Sequence, residues 1–102
     1  MSRLEKIEAM LKDSPEDTFL RYALAMELRG ENQLDRSVGI FLELTKEDPP
    51  HVPAFFMAGQ VLEMQDEIED AKAILTQGIS EAQKQNDLHA AGEMTQMLDS
   101  LD

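Results

Sequence analysis

No cysteine occurs among the 102 residues, so disulfides and thiolate metal sites are excluded and redox compartment leaves no mark on the chain. Aromatic residues make up only 5%, and runs of β-branched residues are scarce, whereas Ala, Leu, Met, Glu and Gln are plentiful. That balance favours an all-helical chain over a sheet. No apolar run approaches the roughly 20 residues needed to cross a bilayer, so no membrane partner is expected. The opening residues, MSRLEKIE, hold no apolar core segment of the kind a secretory signal carries, which predicts a soluble, cytoplasmic protein. Basic residues are also few: nine Lys and Arg stand against 21 Asp and Glu, a formal charge of −12 at pH 7. Such a surface repels phosphate backbones, which argues against a nucleic-acid partner. It keeps the chain soluble first, and speeds encounter with a basic partner second.

What is present is a repeated layout. The length fits one domain with a modest core. Between His51 and Ser80 the spacing predicts two helices joined by an acidic turn. The first carries Phe55, Ala58, Gly59 and Leu62 on one face, and the second Ile68, Ala71, Ile74, Leu75, Gly78 and Ile79. Small residues fall where the two helices would cross closely. A shift of 34 residues brings the pattern back: Ala25 falls on Gly59, Leu28 on Leu62, Leu34 on Ile68, Ser37 on Ala71, Ile40 on Ile74 and Phe41 on Leu75. Glu16 to Arg29 reads as the first helix of the earlier unit, capped near Ser14–Asp17 and closed by Gly30. Leu34 to Glu47 reads as the second, stopped by Asp48-Pro49-Pro50.

Helix pairs with this period resemble the tetratricopeptide repeat family. The residues that carry the likeness are Arg21, Leu24-Ala25, Leu28, Ser37, Phe41 and Pro49 in the first unit, and Phe55, Ala58-Gly59, Leu62, Ala71 and Leu75 in the second. Two positions depart from the pattern: Arg21 stands where a large aromatic is usual, and Gln83 where the second unit would have its proline. The resemblance implies an all-α, right-handed superhelical stack of antiparallel helix pairs. Its six helices comprise a half repeat at 2–15, repeats at 18–51 and 52–85, and a capping helix at 86–101. A third 34-residue shift would put His89, Gly92, Glu93 and Gln96 at core places, which fits badly. The last helix, with Ala90, Ala91, Met94, Met97, Leu98 and Leu101 as its stripe, therefore reads as a rotated cap.

No catalytic constellation is visible. His51 lies in a proline-rich connection and His89 near a helix start, without a nucleophile beside either, so neither an enzyme nor a cofactor is expected. The acidic run Glu63, Asp66, Glu67, Glu69 and Asp70 lacks the ligand spacing and turn glycine of a calcium loop; it reads as a solvated turn beside a helix N-terminus, and no metal site is expected.

The first helix of each unit carries a second apolar stripe beyond its core face. In the earlier helix it comprises Phe19, Tyr22, Ala23, Met26 and, at the edge, Arg29; in the later one Pro53, Phe56, Met57, Gln60, Glu63 and Met64. Phe56 and Met26 are expected on the open side of their helices. A helix apolar on nearly all sides needs cover on two, and its paired helix supplies one. In proteins that look like this, first helices line a concave face that binds an extended peptide or a partner helix, and Met and aromatic side chains suit irregular apolar ligands. The resemblance thus implies a non-catalytic adaptor for a protein or peptide with an apolar segment. Three alternatives stay open: a homodimer that completes its own core, a small acidic secretion-type chaperone, and a last helix that folds over the groove through Met94 and Met97. Some family members clamp a partner's terminal carboxylate with Lys, Arg and Asn. The matching positions here are Tyr22, Met26, Met57, Asp87 and Ala91, which supply no such clamp beyond one hydroxyl.

Overall fold

A computed structural model describes residues 1–102 as six α-helices and no strands: α1 (Arg3–Asp13), α2 (Thr18–Gly30), α3 (Leu34–Leu44), α4 (Val52–Met64), α5 (Ile68–Lys84) and α6 (Leu88–Ser100). Each packs against the next along the chain, and α6 also touches α4. The stack measures 41 × 29 × 18 Å. None of the helices is long and apolar enough to cross a membrane.

Local chemistry sets the helix ends. Ser2 and Glu5 form a reciprocal capping box, with both hydrogen bonds at 3.1 Å. The Ser2 backbone N–H, followed by its hydroxyl, holds the exposed Glu5 carboxyl below the usual range. Asp17 caps α2 by accepting from the Leu20 N–H, and Asp87 caps α6 by accepting from the Ala90 N–H. Pro53 sits in the first turn of α4, where its missing donor is not needed.

Gly30 does not close α2 as the sequence suggests. It stays helical, and the left-handed residue is Asn32, with φ 61°. Asp66 and Asn86 do the same work after α4 and α5, at φ 61° and 60°. In all three turns the left-handed residue donates three residues back, and its successor donates five back: Gln33 to Leu28, Glu67 to Leu62 and Asp87 to Ala82, each at 2.8 Å. These bonds satisfy the last carbonyls of the helix. Short polar side chains tolerate that backbone conformation, so glycine is not required.

The core runs through the stack from Ala25 to Met94. Where α4 crosses α5, Gly59 lies so close to Leu75 that an added Cβ would meet its side chain at 2.7 Å. A Cβ on Gly78 would meet the Phe55 Cβ and the Met94 sulfur at 2.5 Å. Where α2 crosses α3, the buried Ser37 hydroxyl instead donates to the Ala25 carbonyl at 2.7 Å. Arg21 turns sideways along α3, reaching Glu47 at 3.1 Å and Glu43 at 3.2 Å, while the Thr18 hydroxyl donates to Glu47 at 2.9 Å. An ion-paired guanidinium thus occupies the place of the missing aromatic.

Candidate functional site: the cavity between α2, α4 and α6

The second stripes of α2 and α4 line more than one hollow. Four of their residues share a cavity of about 260 Å³: Tyr22 of α2 with Pro53, Phe56 and Met57 of α4. Val52 and Ala90 complete its apolar lining, and Asp87, His89 and Glu93 its polar edge. Its floor is fixed by packing. The Tyr22 ring meets Phe41 edge-on at 5.5 Å and His51 edge-on at 5.3 Å. Met57 is 8% exposed. Phe56 and Met26 are half-buried and both pack against the core, so neither stands clear of it.

The remaining stripe residues go elsewhere. Phe19 and Ala23 face a separate cleft between α1 and α2, and Phe19 is 77% exposed. Arg29 and Gln60 pair with each other, the guanidinium donating to the Gln60 carbonyl oxygen at 3.3 Å, while the buried Arg29 Nε–H has no partner. Arg29 forms no ion pair despite the chain's 21 acidic residues. Met64 is exposed at the end of α4.

Burial tunes Tyr22 in the cavity lining and His51 packed beside its ring. It raises the Tyr22 hydroxyl above its ordinary pKa, so the phenol stays protonated at neutral pH. It lowers His51, against a smaller opposing pull from Glu47, so that imidazole favours its neutral form. His89 lies 3.4 Å from Glu93 on the solvent-exposed lip. Of the wall contributed by α6, namely His89, Ala90 and Glu93, only Ala90 belongs to a stripe read in the sequence. The sequence reading in which the last helix folds over the groove names Met94 and Met97 for that contact instead. No trio of His, Asp or Glu side chains is arranged to hold a metal ion.

Neither a protein-family model nor a curated protein matches the chain. Solved structures do. The solution structure of a tetratricopeptide repeat domain protein from Salinibacter ruber is 31% identical, with a TM-score of 0.81 over 86% of this chain and 89% of that one. The crystal structure of the tetratricopeptide repeat domain protein from Salinibacter ruber is 30% identical, with a TM-score of 0.77 over 84% and 96% of the two chains. The chain belongs to the tetratricopeptide repeat family. A Bordetella parapertussis protein of the same fold superposes with a TM-score of 0.85 over 99% of this chain and 88% of its own, at 24% identity. As a tetratricopeptide repeat protein, the chain carries a protein-interaction fold. The cavity lies between α2, α4 and α6 of that fold.

Proposed function

We propose that the protein is a non-catalytic interaction module that takes an apolar peptide or partner helix into the cavity between α2, α4 and α6. The observation that carries this reading is the cavity lined by Tyr22, Pro53, Phe56 and Met57, an aromatic and thioether hollow edged by Asp87, His89 and Glu93. Rings and thioethers of this kind grip irregular apolar side chains. Asp87 and Glu93 stand on the rim with no lysine or arginine among the lining residues. A segment with a Lys or Arg next to its apolar anchor therefore fits better than one with an acidic neighbour. The carboxylate clamp of some relatives has no counterpart, since Met57, Asp87 and Ala91 hold its places.

The test is selection of peptides from a random display library by the purified protein. Enriched sequences should carry an apolar residue beside a basic one. Glu93→Lys, on an exposed position, should weaken their binding about tenfold, close to 1.4 kcal/mol, and leave the melting temperature unchanged. Peptides that lack an apolar anchor, or that bind the variant as tightly as the wild type, would sink the reading.

A further inference from the structure

The first helix of the stack lacks the neighbour that its counterparts have. The 34-residue shift places Arg3, Ile7 and Met10 of α1 on Ser37, Phe41 and Leu44 of α3. The three in α3 are fully buried, whereas Met10 is 49% exposed and the Arg3 side chain 76%. The same shift places Leu20, Ala23 and Glu27 of α2 on Ala54, Met57 and Val61 of α4. Those of α4 are buried and those of α2 half-open. What remains between α1 and α2 is a mostly apolar cleft of about 480 Å³, lined by Ile7, Met10, Phe19, Leu20 and Ala23, with Arg3 and Lys6 at its edge.

We propose that this cleft is a self-association surface, occupied by α1 and α2 of a second copy of the chain. Charge selects the occupant. Helix α1 carries Arg3, Lys6 and Lys12 against Glu5, Glu8 and Asp13, so it is neutral, and the whole formal charge of −12 lies beyond it. Two copies repel one another wherever their acidic surfaces meet, but not at this end. Lys6 has no ion-pair partner within its own chain and is available to an acid of the second copy. A two-fold contact brings the same patch together from both sides, so Met10 and Phe19 of each copy leave water in one step. This surface is separate from the cavity between α2, α4 and α6, which stays open in the dimer.

Sedimentation equilibrium over a concentration series tests the proposal. The wild type should show twice the chain mass. Phe19→Asp should raise the dimer dissociation constant at least about tenfold. Its helical circular dichroism should be unchanged, because Phe19 is 77% exposed. Leu88→Asp, at the equally open start of α6 (68% exposed), should leave the dimer intact. A wild type that stays monomeric up to about 1 mM overturns the proposal. So does a Phe19→Asp variant that remains dimeric, and so does loss of the dimer with Leu88→Asp as well, which would put the contact elsewhere.

Discussion

At the crossing of α2 with α3, Arg21 swings aside to Glu43 and Glu47, and Leu44 is fully buried. At the crossing of α4 with α5, 34 residues on, Phe55 fills the place of Arg21 and Gly78 the place of Leu44. The ring of one pair and the leucine of the other thus stand on opposite helices. The smaller contacts differ likewise. Ser37 bonds to the Ala25 carbonyl in the first pair, whereas in the second the apolar Ala71 stands in its place and Gly59 closes on Leu75. The difference teaches that the repeat constrains the summed volume at a crossing, not the residue at each place, as close packing requires. The two first helices also differ in cover. Helix α4 has eight buried residues and α2 only two, because α4 has helices on both sides and α2 has only α1 at its outer edge.

The largest expected effect comes from removing that cover. Deleting residues 87–102 strips Met94 from Gly78 and exposes the outer side of α5, so the truncated protein should aggregate or lose cooperative melting. Deleting residues 1–13 takes away only one buried side chain, Ile7, and should leave a cooperative, less stable fold. Thermal melts of both truncations by circular dichroism check the asymmetry; equal losses would break it.

Next in size is Gly78→Leu, which forces a side chain into the Phe55 Cβ and should cost about 3 kcal/mol. Combining it with Phe55→Gly removes both the Cβ and the ring that the new side chain meets, leaving only the Met94 contact. The double variant should recover part of that loss in urea denaturation. If it is no more stable than Gly78→Leu alone, the volume exchange is not what links the two units.

A smaller exchange concerns the hydroxyl. Ser37→Ala should cost about 1 kcal/mol, the net worth of an ordinary buried hydrogen bond. The reciprocal Ala71→Ser should cost less than its burial alone implies, because the 34-residue shift pairs Gly59 with Ala25, whose carbonyl accepts from Ser37. Parallel urea titrations compare the two, and a loss above about 2 kcal/mol for Ala71→Ser would mean that its hydroxyl finds no partner.

The smallest effect is that of pH on the connection between the units. Burial lowers the His51 pKa, so the unfolded chain binds this proton more readily than the folded one. The stability contributed by neutral His51 is therefore complete above the unfolded value, about 6.5. It declines as pH falls from there toward the lowered folded value. His51→Gln should flatten the stability profile over that window and no other; an unchanged acid-side slope would remove His51 from the account.

Several features were legible in the residues because they arise from one helix at a time. Asp17 announces a helix start through a side chain that reaches the next N–H groups, and the spacing of Gly59 and Ala71 announces a close crossing. Gly30 misled because glycine permits a left-handed turn without demanding one. The bonds at the end of α2 needed that conformation two residues later, at Asn32.

By itself, then, the sequence determined the helical class, the 34-residue period and the faces that turn inward, since each depends on angle around a single helix axis. Only the tertiary structure decided which members of one apolar stripe share a site. Tyr22, Pro53, Phe56 and Met57 meet in one cavity, while Phe19 and Ala23 open to another cleft and Arg29 pairs with Gln60. The same holds for the wall that α6 supplies through Ala90 and Glu93. Helical periodicity states the direction in which a side chain points; what it meets there depends on how neighbouring helices pack and on where the stack ends.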